Sequence, residues 1–245
     1  MPNPNEERRT WKEIAIDLIG ARDRGRFLKL AKELDEVLTA LDLGKKRQGS
    51  QPPSHRSQLL RISDERACEK IVDVAVALMR SDYASMQMLY PERGPGGELR
   101  LLSFRGFNPQ AATFWEWVRA DSKSTCGLAL RDSKRVVAPD ISACDFMADS
   151  EDQQVYVQTG IRACQTTPLI SRAGSIVGMI STHWRTPHQP SEREFRLLDV
   201  LARQAAQLIE RRREEEAPLV NAGVVILSCL LATPRCGSAW IGSRS

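Results

Sequence analysis

The chain has 245 residues, 42% of them hydrophobic and 27% charged, with a formal net charge of +4. That is the composition of a globular protein of one ordinary domain with flanking segments, and it excludes a low-complexity or fibrous chain. The excess positive charge lies in residues 1–62, which carry thirteen Lys/Arg against nine Asp/Glu; the remainder is neutral, which argues against nucleic acid as a partner.

Residues 1–10 are polar and contain no apolar core of a signal peptide. From Thr10 to Leu43 the pattern is helical. Ile14, Leu18 and Ile19 form one apolar stripe, and Phe27, Leu30, Leu34, Val37, Leu38 and Leu41 form another. Asp23-Arg24-Gly25 reads as the break between two helices. Residues 44–57, with Pro52-Pro53, read as a linker. Asp64 to Arg80 then places Ala67, Ile71, Val74, Ala75 and Leu78 on one helical face.

Residues 84–90 and 98–104 read as two strands joined by the turn Gly94-Pro95-Gly96-Gly97. That glycine run is no phosphate loop, because a strand follows it. Asn108-Pro109 caps a helix expected to reach Val118, with Phe114 and Trp117 on one face and Trp115 pointing away. A short strand over 135–139, irregular chain over 140–160 with a short helix at 152–158, and two strands over 163–171 and 175–184 follow. The last helix opens at Ser191 with the capping box Ser191-Glu192-Arg193-Glu194. It carries two stripes: Phe195, Leu198, Ala202, Ala205 and Ile209, then Leu197, Leu201 and Leu208. One stripe covers the sheet, and the other is left to pair with a partner helix. Pro218 is expected to stop the helix. The apolar run 219–232 would span only about 21 Å as a helix, against a bilayer core of ~30 Å, so no membrane span is assigned.

The segments TTPLISRAGSIVGMISTHW and PSEREFRLLDVLARQAAQLIE carry a family resemblance. With Pro168-Leu169 in one strand, a short hairpin, a glycine-containing strand and an outgoing helix, they resemble the C-terminal half of a GAF domain, and the resemblance extends over residues 63–212. It implies an α+β fold in which a five- or six-stranded antiparallel sheet carries flanking helices, as in GAF and PAS domains. The connections between the middle strands would then shape a ligand pocket over one sheet face. The organisation expected is residues 1–62 as a helical pair and linker, 63–216 as the sensory domain, and 217–245 as an irregular apolar tail.

GAF domains are sensing and dimerisation modules. The function implied is binding of an unidentified small molecule in bacterial-type, two-component signal transduction, with a homodimer formed through the terminal helices. The module would be non-catalytic, cytoplasmic, and coupled to a histidine kinase or another output partner. Pocket candidates are Phe114, Trp117, Cys126, Cys144, Met147 and His183. No cofactor is named by the sequence. The six cysteines, at 68, 126, 144, 164, 229 and 236, include no Cys-x-x-Cys pair, so no metal site is assigned.

The alternative is enzymatic. Free methionine-R-sulfoxide reductases share the GAF fold, and the stretch Cys126-Gly127-Leu128-Ala129-Leu130 resembles theirs. Cys126 and Cys144 would then be the thiolate nucleophile and the resolving thiol. The chain departs from those enzymes in the last two strands, where Thr166-Thr167 and Ser181-Thr182-His183 supply no carboxylate for a substrate ammonium. The ordinary alternative for both thiols is a small buried hydrophobe. For His183, a hydrogen-bonded structural role is the commoner fate of a lone strand histidine than axial ligation of a haem.

Overall fold

The computed structural model describes residues 13, 16, 21–47 and 53–231, with the side chains of 24–25, 27–39 and 64–213 among them. Residues 1–210 form one compact unit and residues 211–245 a second.

The first unit opens with helices α1 (Ala21–Arg47) and α2 (Pro53–Met79). Strands β1 (Tyr83–Tyr90) and β2 (Glu98–Arg105), helix α3 (Pro109–Phe114) and strand β3 (Trp117–Arg119) follow. Next come α4 (Thr125–Asp132), β4 (Val136–Ala138), two 3₁₀ turns and α5 (Glu151–Gln158), then β5 (Ala163–Ile170), β6 (Ile176–Trp184) and α6 (Glu192–Leu231). The sheet has six strands in the order β3-β2-β1-β6-β5-β4, and each neighbouring pair is antiparallel. The central pair, β1 and β6, joins distant parts of the chain. The architecture is the α+β fold expected, with its helices divided between the two faces.

One face is covered by the three long helices. Phe27, Ala31 and Leu34 of α1 share a buried cluster with Ala67, Ile71, Val74, Ala75 and Leu78 of α2. Met86, Met88 and Ile180 of the sheet and Leu198, Leu201 and Ile209 of α6 belong to the same cluster. The face predicted for the helix at Asp64 is therefore the face that is buried. The opposite face is covered by α3, α4, α5 and the turns, through Trp115, Ala129, Ile141, Met147 and Tyr156.

Several boundaries differ from the sequence reading. Asp23-Arg24-Gly25 is no break: α1 runs through it. Gly25 meets no atom within 4 Å that a side chain would touch, and one exposed glycine costs a helix only about 1 kcal/mol. The observed helical pair is therefore α1 with α2. The earlier apolar stripe, Ile14, Leu18 and Ile19, lies outside the described residues. The linker is shorter than 44–57, because α1 continues to Arg47 and Pro53 starts α2 at the position where a proline's missing N–H costs nothing. Helix α3 ends at Phe114 rather than Val118, since Trp117 to Arg119 pair with β2 as an edge strand. Helix α4 was not expected; Ser124 Oγ caps it by accepting from Gly127 N at 3.1 Å.

The last helix departs most. Both of its stripes are buried within the chain apart from half-buried Phe195, with Leu197, Leu201 and Leu208 buried like Leu198, Ala205 and Ile209. The stripe expected to await a partner, Leu197, Leu201 and Leu208, belongs to the same buried cluster as residues of α1, α2 and the sheet. Pro218 does not stop α6, which continues to Leu231; one proline removes one N–H bond, and the apolar run beyond it resumes the ladder. Among the described residues, no helix is long and apolar enough to cross a membrane.

The capping box is formed as read. Ser191 N donates to Glu194 Oε2 at 2.7 Å, and Glu194 N donates to Ser191 Oγ at 3.4 Å. Ser191→Ala is expected to cost about 1 kcal/mol in urea unfolding, the usual cost of losing such a cap.

Candidate functional site

Strand alternation sends successive side chains of β1, β5 and β6 to opposite faces. On the face away from the long helices stand Ser85 and Gln87 of β1, Cys164 and Thr166 of β5, and Met179, Ser181 and His183 of β6. The register places Ser85 beside Ser181, and Thr166 and Cys164 beside Ser181 and His183. This inner face is polar, although it is buried.

Helix α4 lies over it. Gly127 lets the helix pack back on the segment that leads into it, because a Cβ there would stand 2.5 Å from Ser122 O and 2.8 Å from Arg119 O. The first turn of α4 thereby presents Thr125 and Cys126 to the sheet. Thr125 Oγ1 lies 2.8 Å from Thr166 Oγ1 and 3.0 Å from Cys164 Sγ. Cys126 Sγ lies 3.3 Å from Ser181 Oγ and 3.5 Å from Thr166 Oγ1, and those two hydroxyls are 2.8 Å apart. Tyr156 OH reaches Cys164 Sγ at 3.9 Å. The cluster is satisfied within itself, as buried polar groups normally are.

His183 and Gln87 are the exceptions. Each is only 2% exposed, yet neither imidazole nitrogen of His183, nor Gln87 Oε1, has a hydrogen-bond partner. The imidazole ring is set among aromatic rings instead: Phe107 at 5.3 Å and Tyr156 at 6.0 Å between centroids. Trp115 packs on both of those rings, at 5.3 Å from Phe107 and 4.6 Å from Tyr156. Burial pushes the His183 pKa down to about 3. Burial also raises the thiols of Cys126 and Cys164 and the phenol of Tyr156. All four groups are therefore neutral near pH 7, and the inner face carries no formal charge.

Trp115 also closes the rim. Its Nε1 donates to Asp152 Oδ1 at 3.2 Å, and Ser122 Oγ donates to Asp152 Oδ2 at 3.0 Å. Outside it lies a surface hollow of about 290 Å³, walled by aromatic residues, Phe114, Trp115 and Trp117, and by charged ones, Arg119, Asp121 and Asp152.

The residues singled out from the sequence fall in different places. Cys126 and His183 stand on the inner face, and Met147 is buried in the same cluster. Phe114 is half-buried beside Trp115. Trp117 projects from the edge strand toward Tyr90, with Arg93 stacked over its ring at 4.0 Å. The helical phase that paired it with Phe114 does not apply, and Trp115 is the inward aromatic. Cys144 is half-buried between the two 3₁₀ turns, its thiol raised by burial; the thiol joined to Cys126 through Thr125 and Thr166 is Cys164. Sequence reasoning passed over Gln87, Trp115, Tyr156 and Cys164. The alternation of β1 was a usable signal for Gln87, a polar residue between Met86 and Met88.

An antiparallel six-stranded sheet, long helices on one face and short connecting elements closed over a polar opposite face define the architecture of a small α+β domain. The GAF domain family model matches residues 64–209, and the chain belongs to that family. Solved structures agree in fold. The GAF domain from a phosphoenolpyruvate-protein phosphotransferase of Coxiella burnetii is 16% identical with a TM-score of 0.52, covering 78% of this chain and 98% of that one. The corresponding GAF domain from Acinetobacter is 14% identical with a TM-score of 0.51, covering 76% and 96%. A type II free methionine-R-sulfoxide reductase from Thermoplasma acidophilum is 14% identical with a TM-score of 0.49, covering 62% and 95%. No curated protein matches the chain significantly.

Proposed function

We propose that this GAF domain is a non-catalytic sensor that holds a small molecule against the inner face of β1, β5 and β6. A single observation carries the reading: His183 and Gln87 are buried with polar atoms left unpaired. Such atoms cost about 1–3 kcal/mol each, a cost that a ligand's polar edge would remove. Native mass spectrometry of the freshly purified protein tests it. A retained molecule, lost in His183→Phe, is the expected result; the bare polypeptide mass alone counts against it.

The thiol reductase reading gains no support from the site. Cys126 and Cys164 are held as thiols by burial, with no cation beside either sulfur among their contacts. A nucleophilic cysteine requires the opposite environment.

A route for the signal lies on the other side of β5. Gln165 Nε2 donates to Thr182 Oγ1 at 3.0 Å, and Thr167 Oγ1 donates to Gln165 Oε1 at 2.8 Å. Arg135 Nε donates to Thr167 Oγ1 at 2.8 Å, and its other end pairs with Asp199 of α6 and stacks over Phe195 at 4.4 Å. A shift of β5 under a bound ligand would reach α6 through this guanidinium as well as through the apolar cluster that Leu169 shares with Ile209 and the bond from Arg172 N to Glu210 Oε1, and through α6 an output partner such as a histidine kinase. Any ligand must favour one arrangement of that helix to transmit anything. Arg135→Met is expected to change stability by about 1 kcal/mol, near the upper end for pairs at a protein surface, while reducing the ligand-induced change in hydrogen exchange along α6. Because both stripes of α6 up to Ile209 are occupied within the chain, a homodimer through the terminal helices would use the outer face of α1 or α6 beyond Glu210.

A further inference from the structure

We infer that α5, with the 3₁₀ turns that lead into it, is a lid over the inner face, and that the carboxylate of Asp152 is the latch that holds it shut. The inference rests on the sensing reading and adds the way in.

The inner face is sealed in this structure. The rings of His183, Phe107, Trp115 and Tyr156 close a cycle of contacts. Centroids stand 5.3 Å apart from His183 to Phe107 and from Phe107 to Trp115, 4.6 Å from Trp115 to Tyr156, and 6.0 Å from Tyr156 back to His183. His183 and Cys164 are both buried beneath this cover. A molecule reaches either one only if a covering element moves.

Two of the three covering helices are pinned. Helix α3 runs into β3, which pairs with β2. Helix α4 sends Thr125 to Thr166 and Cys126 to Ser181, so lifting it would strip hydrogen bonds from both β5 and β6. Helix α5 is held differently. Its Gln153 turns back on the helix's own approach: Nε2 donates to Ile141 O at 2.9 Å, and Oε1 accepts from Asp149 N at 3.2 Å. Toward the sheet it makes neutral contacts through Tyr156, whose hydroxyl lies 3.9 Å from Cys164 Sγ and beside Thr125. The charged tie is Asp152, which accepts from Trp115 at the end of α3 and from Ser122 ahead of α4. Hydrogen bonds to a carboxylate are roughly twice as strong as neutral ones, so this residue dominates the closure.

The chain at both ends of α5 is shaped to swing. Asp149 (φ 57°) and Gly160 (φ 75°) hold left-handed backbone on either side of it, and hinges fall at a few element-terminal positions. The outer side of the helix is bare, with Val157 55% exposed. Outward rotation carries Tyr156 away from His183 and uncovers Cys164.

The test reads thiols in the full chain with no ligand added. Iodoacetamide alkylates thiolates, so a buried cysteine reacts only through an opening that exposes it, and peptide mass mapping reports each site. Asp152→Ala is expected to raise the alkylation rate of Cys164 at least about ten-fold, a shift of ~1.4 kcal/mol in the opening equilibrium. Cys68 should not change, because it is buried in the cluster under the long helices on the opposite face. Trp115→Phe keeps a ring in the cycle but removes one of the two donors to Asp152, so it should accelerate Cys164 by a smaller factor. An unchanged Cys164 rate in Asp152→Ala overturns the latch. So does acceleration of Cys68 by the same factor, which would report global unfolding. Because no ligand enters the measurement, either failure leaves the sensing reading to be decided by the retained molecule.

Discussion

Gly178→Ala is expected to cost about 3 kcal/mol or more, at the upper end of overpacking penalties, although it adds only one methyl group. Gly178 lies on β6 opposite Met88 of β1 and Leu169 of β5. A Cβ there would stand 2.1 Å from the Gln87 carbonyl oxygen and 2.8 Å from Ile209 Cδ1. The isoleucine methyl can swing aside, but the carbonyl belongs to the backbone of the central strand, so it moves only if β1 and β6 part. The same glycine sets how closely α6 approaches the sheet, since Ile209 rests over it. Gly25→Ala is the natural control: nothing lies within 4 Å of that position, and exchanging an exposed helical glycine for alanine stabilises by roughly 0.5–1 kcal/mol. Urea unfolding of both variants measures the contrast. A Gly178→Ala protein within 0.5 kcal/mol of wild type, the scatter of neutral surface changes, would mean that the two central strands do not lie this close.

The elements that were legible in the sequence are those whose signal is local. The apolar, β-branched run of β6, the hairpin of β1 and β2 and the capping box at Ser191 each reside in a few consecutive residues. What escaped depends on distant partners. Trp117 carries the same aromatic character in a helix or an edge strand, and only the pairing of Arg100 with Trp117 decides between them. That decision also reverses which tryptophan points inward. Helix α4 contains Thr125 and Gly127, poor helix formers, and is held by the Ser124 cap and by contacts across the sheet. Its chemistry is equally non-local: Cys126 meets Ser181 across 55 positions of chain. The burial of the second stripe of α6 was hidden for the same reason: Leu197, Leu201 and Leu208 share one cluster with residues as distant in the chain as Phe27 and Leu34. A charge at Leu201 would therefore break the core of the domain, and the loss of a dimer in such a variant would report unfolding.

His183 should make the protein acid-labile well above the pH at which its carboxylates titrate. Its pKa falls from the ordinary 6.5 to about 3 in the fold because burial disfavours the imidazolium. The unfolded chain therefore binds a proton that the folded chain refuses between these two values. The stability held by the neutral ring is complete above pH 6.5 and is lost progressively as the pH falls toward 3. Between pH 8 and pH 5 this single group accounts for a loss of about 2 kcal/mol. The groups packed around it do not share that window: the thiols of Cys126 and Cys164 and the phenol of Tyr156 are all shifted upward. Urea unfolding of wild type and His183→Phe at the two pH values isolates the effect, because contributions from every other group cancel in the difference. His183→Phe should be flatter by about 2 kcal/mol across that interval, and also more stable at pH 8, since it removes two unpaired nitrogens from an apolar ring set. Parallel pH profiles would place the imidazole in contact with water. A fold that becomes sturdier when His183 is lost, and blind to its ligand at the same time, would mark the residue as kept for recognition at the expense of stability.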